Sequence, residues 1–222
     1  MAAHWKKLGV TFDSIYSGFL LSPEQGKIVS EVIEGFRTSD TLVLVDPVMG
    51  DDGALYSTCT EEMKDEMIAL CKSADLITPN LTEACILTHT EYPTERFSSE
   101  DDARMFSESL LHRLFELCKR IAITGIEYDC GGDRFVMTAC ADNGEVRFFS
   151  QKKIGTSYPG TGELFASVLL GLMLDGKEFF SSVEFSGRFV SDTITASDGV
   201  IEETRQGTAL ENVLGKLNEI IK

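Results

Sequence analysis

Residues 42–47 read Leu-Val-Leu-Val-Asp-Pro, an unbroken apolar run closed by an acid and a proline. A strand with one face in water alternates apolar and polar side chains, whereas a strand covered on both faces does not. The run therefore predicts an interior strand of a parallel sheet, and Pro47 marks its end. Upstream, Ile28, Val32, Ile33 and Phe36 share one face of a helix predicted over 23–37, with Pro23 at an early position. Before that helix, residues 12–17 read as a short strand. Lys6-Lys7-Leu8-Gly9 has the form of a helix end, with cations in the last turn and a glycine cap.

Downstream of Pro47 a Gly/Asp loop over 49–54 leads to a helix over 60–72 and a strand over 74–78 that Pro79 stops. Asn80 can cap the helix that begins there. A helix over 101–118 precedes a third buried strand, 120–124, ending at Gly125. Two alternating stretches, 134–140 and 145–150, flank Asp142-Asn143-Gly144, a strong hairpin signal. After Pro159 the pattern is helical, with helices expected over 162–175, 179–197 and 206–221. Strands alternating with helices predict the α/β class: a three-layer, open, mostly parallel sheet with helices on both faces. There is no repeat, low-complexity tract or linker, so residues 1–222 are expected to form a single domain.

The 222 residues carry 20 Lys+Arg against 36 Asp+Glu, a net charge of −16. That balance speaks against a general nucleic-acid binder or an anionic-membrane binder, both of which need a basic footprint. It leaves room for a nucleotide, since a metal ion and a few amides can hold a phosphate locally. No stretch approaches the roughly 18 apolar residues of a membrane span, and the start lacks the apolar centre of a signal peptide. Six cysteines lie scattered without a C-x-x-C pair, and the three histidines are equally dispersed. A zinc site has no spacing support, and free thiols in a reducing cytoplasm are the expectation.

Ligands of open α/β sheets gather beyond the carboxyl ends of the strands. Those ends carry Ser17-Gly18, Asp46-Pro47, Thr78-Pro79-Asn80 and Thr124-Gly125. The sharpest segment is Tyr158-Pro159-Gly160-Thr161-Gly162-Glu163. Glycines around a threonine at a helix start leave amides accessible to a phosphate, and Glu163 in the first turn can take a proton from a hydroxyl nucleophile. The same residues also fit an ordinary helix start with a favoured first-turn acid. Asn80-Leu81-Thr82-Glu83 fits either a hydrated Mg²⁺ site or a capping box. Asp46 and Asp51 bracket a glycine loop and read equally as turn acids.

Taken in order, LVLVDPVMGDDGALY, ADLITPNLTEACILT and SYPGTGELFASVLLG resemble the pyridoxal kinase branch of the ribokinase-like superfamily. The opening HWKKLGVTFDSIYSGFLLS is similar to the same kinases just before their substrate-side loop. The resemblance weakens over 90–118 and after 180. It implies ATP-dependent phosphorylation of the 5′-hydroxymethyl group of pyridoxal, pyridoxine or pyridoxamine. By the same resemblance the anion hole falls on Gly160, Thr161 and Gly162, and the catalytic base on Glu163, where the family commonly has Asp. Asn80 and Glu83 would organise Mg²⁺ and the nucleotide phosphates, with Asp46, Asp51 and Thr78 in the cation and phosphate neighbourhood. Tyr56 matches an aromatic of the mobile loop over ATP, and Thr124 with Gly125 a nucleotide-contacting strand end. Tyr16, Ser17 and Gly18 match the vitamin side of the site. The resemblance also admits a homodimer.

The family usually begins with a strand and substrate-binding segment that has no counterpart here. Roughly 50 residues are therefore expected to be missing before Met1, leaving an exposed sheet edge. Two further readings stay open. A hydroxymethylpyrimidine kinase usually has Cys after Gly-Thr-Gly, where this chain has Glu163. A non-catalytic nucleotide- or vitamin-binding remnant would result if the chemistry were lost with the N-terminal segment.

Overall fold

In the computed structural model, which describes residues 1–155 and 157–220, the apolar run is strand β2 (Leu42–Val45). Val43, Leu44 and Val45 are completely buried there. On one side it pairs in parallel with β1 (Ser14–Ser17), on the other with β5 (Leu76–Ile77). A third parallel pairing joins β5 to β6 (Arg120–Cys130). Strands β7 (Asp133–Asp142) and β8 (Glu145–Lys152) then extend the sheet antiparallel. The six-stranded order is β1-β2-β5-β6-β7-β8, and among the described residues β1 has a neighbour on one side only.

Alternate residues of the central strands feed two cores, as the pleat requires. Val43, Val45, Ile77 and Ile121 face α3 (Glu61–Ser73) and α5 (Glu100–Leu114), whose Met67, Leu70, Leu110 and Leu114 are fully or almost fully buried. Leu44, Leu76, Ala122 and Cys140 face α6 (Thr161–Leu174) and α7 (Phe179–Ser197) through Phe165, Leu169, Phe180 and Val183. Both faces are therefore covered, which is why the strands read as uninterrupted apolar runs. The remaining helices are α1 (Ala2–Leu8), α2 (Pro23–Phe36) and α4 (Leu81–Leu87). Gly9, in the left-handed region at φ 67°, ends α1 after Lys6 and Lys7, as expected from sequence.

Three expectations need correction. The loop over 49–54 contains a small hairpin, β3 (Gly50–Asp51) with β4 (Ala54–Leu55), turning through Asp52 and Gly53. Strand β6 does not stop at Gly125. The register shifts between Ile123 and Ile126, with Gly125 at φ 73°, and the strand continues to Cys130. A glycine that reads as a terminator here accommodates a bulge. The last predicted helix is a series of 3-10 turns, Thr204–Gln206, Leu210–Asn212 and Leu214–Glu219; residue 221 lies outside the described residues. Val213 is buried there, with Leu210, Leu217 and Ile220 packed against it, so the apolar spacing is real although the helix is not.

Candidate active site

Parallel registry places the carboxyl ends of the strands side by side. Ser17 pairs with Val45, Val45 with Ile77 and Ile77 with Ile121, while an isolated bridge sets Asn80 beside Thr124. The residues that follow these strands line a cleft of about 660 Å³. It gathers Asp46, Asp51, Tyr56, Thr78, Asn80, Glu83, Thr124, Gly125 and the whole 160–163 turn. The substrate-side expectation is not met in the same way. Tyr16, Ser17 and Gly18 lie outside the lining, next to Asp46, whose amide donates to the Ser17 carbonyl at 2.8 Å. Only Tyr16 reaches inward, its hydroxyl 3.5 Å from Asp46 Oδ2.

The 160–163 turn is open. Gly160 occupies the N-cap of α6 at φ 87°, and no side chain caps the helix. A Cβ built on Gly160 or Gly162 would meet no atom within 4 Å beyond its own turn, so no neighbouring side chain fills the space over this part of the cleft lining. The Thr161 hydroxyl donates to the Tyr158 carbonyl at 3.2 Å, which ties the turn to the buried Tyr158. Unpaired first-turn amides and the positive end of the helix dipole make this a seat for an anion. Glu163, exposed in the same first turn, lines the same cleft.

Opposite stands Asp46, 5% exposed, with Oδ1 accepting from the Thr78 hydroxyl at 3.2 Å. Burial pushes its carboxyl up to about 7; Glu163 nearby adds to the rise, while the bonds from Thr78 and Tyr16 oppose it. Burial likewise raises the Tyr16 phenol, helped by Asp46 and Glu163, which sets all three groups in one electrostatic neighbourhood.

Asn80 and Glu83 form the capping box. Asn80 Oδ1 accepts from the Glu83 amide at 2.9 Å, and Glu83 Oε2 accepts from the Asn80 amide at 2.8 Å. The pair also anchors the β3–β4 hairpin. Glu83 Oε1 accepts from the Met49 amide at 3.1 Å, and Asn80 Nδ2 donates to the Gly50 carbonyl at 2.9 Å. Thr82 adds a third tie, accepting from the Gly53 amide at 2.9 Å. Glu83 is 3% exposed with both oxygens engaged, so in this arrangement it is a buried anchor and not a free metal ligand. Burial, reinforced by Asp46, holds its acid well above the carboxylate range. Asp46, Asp51 and Glu83 do not converge, and among the described residues no three His, Cys, Asp or Glu side chains form a ready metal cluster. Tyr56, 41% exposed, sits at the lip just after the hairpin.

Sequence reading missed the far wall. Beyond the bulge, β6 carries Glu127 into the cleft, and Lys153, directly after β8, joins it there in an ion pair. Val190 and Ile194 of α7 supply an apolar floor beyond the reach of any strand-end argument.

Residues 7–207 match the family profile described as phosphomethylpyrimidine kinase. A Bacteroides thetaiotaomicron protein provisionally assigned as a phosphomethylpyrimidine kinase is 33% identical, with a TM-score of 0.85 over 98% of this chain and 73% of its own. The pyridoxal kinase of Lactobacillus plantarum superposes with a TM-score of 0.84 at 26% identity, over 98% of this chain and 75% of its own. Among curated relatives, the pyridoxine/pyridoxal/pyridoxamine kinase of Bordetella avium is 26% identical over 190 residues, 83% of this chain and 60% of that protein. The chain spans 46% to 60% of the length of three such relatives, the Bordetella protein included. No helix among the described residues is long and apolar enough to cross a membrane. The profile covers the strand ends, the hairpin and the glycine turn alike, and the chain belongs to the phosphomethylpyrimidine kinase family, on the ribokinase-like fold shared with pyridoxal kinases.

Proposed function

We propose that this chain carries the phosphoryl-transfer site of a vitamin B6 kinase, moving the γ-phosphoryl of ATP to the 5′-hydroxymethyl group of pyridoxal, pyridoxine or pyridoxamine. One observation carries the reading: the uncapped Gly160–Gly162 turn and the Glu163 carboxylate open into the same cleft. Phosphoryl transfer asks a protein for alignment and charge neutralisation more than for covalent chemistry. In the proposed step the acceptor alcohol gives its proton to Glu163 as its oxygen bonds to the γ-phosphorus. The bond from that phosphorus to the β-bridging oxygen breaks, and ADP leaves. Amides of the turn hold the negative charge on the transferring group.

The cleft suits Mg²⁺ in its donors, which are carboxylate and hydroxyl oxygens, and in its surplus of acid over base. Because the carboxylates do not converge, Asp46 and Asp51, with Thr78 alongside, would hold it largely through its bound waters, while Glu83 keeps the hairpin in place. When bound, Mg²⁺ neutralises phosphate charge and aligns the leaving group. The six cysteines are all free, which fits a reducing cytoplasm.

The test is ADP release with pyridoxal, pyridoxine, pyridoxamine and hydroxymethylpyrimidine as acceptors. Turnover of a B6 vitamer is the expected result. Turnover of the pyrimidine alone would move the chain to the second reading, which the name of the matching profile favours. Glu163→Gln should lower turnover by roughly 10²–10⁴-fold with ATP binding retained. Unchanged turnover would remove Glu163 as the base.

A further inference from the structure

Resting on the kinase reading, we propose that Lys153 is a polyphosphate-binding residue held in reserve by Glu127, and that Arg96 makes its release possible. Acids dominate the cleft: Asp46, Asp51, Asp52, Glu83, Glu127 and Glu163 all line it, against Lys152 and Lys153. Lys152 reaches outward to Asp133 at 2.8 Å, a pair more than half exposed on both sides. Lys153 is different. Its side chain is 27% exposed and its ammonium rests on Glu127 Oε1, inside the cleft.

The partner's other oxygen makes the pair reversible. Glu127 Oε2 lies 3.4 Å from Arg96 Nε, and Arg96 Nη1 lies 3.4 Å from Asp129 Oδ2. Arg96 itself is outside the lining and is held beside β6, where Phe97 bridges Tyr128 and its carbonyl accepts from the Asp129 amide at 3.0 Å. When Lys153 swings to an incoming phosphate, Glu127 therefore keeps a cation on its second oxygen. Without Arg96 the same movement would leave a part-buried carboxylate unpaired, which costs far more than an exposed one. A lysine on a flexible stem suits the task, since it meets a phosphate as a movable point charge.

The experiment is titration of the protein with Mg-ADP and, separately, with adenosine, using Lys153→Met, Lys153→Arg and Arg96→Ala. Lys153→Met is expected to weaken ADP about tenfold and to leave adenosine within about twofold. Lys153→Arg should recover most of the loss. Arg96→Ala, although outside the cleft, should weaken ADP several-fold, because Glu127 then retains Lys153. Wild-type binding of ADP with equal affinity in Lys153→Met would overturn this proposal and leave the kinase reading standing. Equal losses for ADP and adenosine would also overturn it, by showing a general packing role. A wild-type protein that binds no ADP would overturn both.

Discussion

Substituting Asp46 by Asn tests the most unusual electrostatic feature of the cleft. The carboxyl is held near 7 in the folded protein against an ordinary value of 3.8. At about 1.4 kcal/mol for each tenfold change in proton affinity, ionising it in the folded state costs about 4 kcal/mol more than in the unfolded chain. The sign follows from the direction. Well below pH 4 the acid is neutral in both states and nothing is lost. As pH rises from 4 to 7 the unfolded chain ionises first, and wild-type stability falls until the folded group ionises too. Above that the loss is constant. Asp46→Asn has no such loss, and its Oδ1 can still accept from Thr78. In metal-free buffer, urea unfolding from pH 4 to pH 8 should show the variant gaining on wild type by about 3–4 kcal/mol across the interval. Glu83, whose acid is also raised by burial, titrates in both proteins, so the difference reports Asp46 and its coupling. A difference that stays flat with pH, whatever its size, would refute the reasoning.

Three further outcomes follow from the geometry. Mg-nucleotide binding at pH 6.5 should release protons, because a cation beside Asp46 favours its ionised form; calorimetry in buffers of different ionisation enthalpy measures this, and no buffer dependence would argue against Asp46 as a ligand. Gly162→Ala puts a methyl into open cleft space on a helix residue without positive φ, so stability should hold or rise by about 0.5–1 kcal/mol while turnover falls; thermal melts and the ADP-release assay read the two separately. Gly53→Ala should instead cost about 1–2 kcal/mol and loosen the hairpin, since φ is +77° and the new Cβ would lie 2.7 Å from the Tyr92 ring. Faster amide exchange over residues 50–55 is the expected signature.

Legibility of the fold tracked the strength of the local pattern. Leu42–Val45 was readable because burial on both faces leaves no polar residue to confuse the period. The β7–β8 hairpin was readable from Asn143-Gly144, whose φ values of 49° and 93° are those such a turn requires. Two-residue strands such as Gly50–Asp51 have no period to detect. Gly125 punctuates the sequence but only bends the strand, because pairing with β7 across the bulge outweighs the local signal. The C-terminal segment failed for a related reason: apolar spacing records which side chains face the core, and 3-10 turns present them nearly as well as a helix. Within the candidate site, residues directly following apolar strands were found, since strand ends point there by construction. Tyr16, Ser17 and Gly18 satisfy the same rule yet lie outside the lining, at the end of the outermost described strand, a position that local sequence does not encode. Lys153 was missed because a Lys-Lys pair at a strand end looks like solvated surface until Glu127 is brought opposite it.

The double bonding of the capping box has a consequence for how variation in this protein is interpreted. Asn80 and Glu83 each cap α4 with one polar atom of the side chain and fasten the β3–β4 hairpin with the other, so neither task can drift without the other. A saturation scan would score both positions as intolerant even under conditions where catalysis is not selected. Intolerance at these two sites therefore measures architecture first, and only a paired readout of folding and turnover shows what chemistry adds to it.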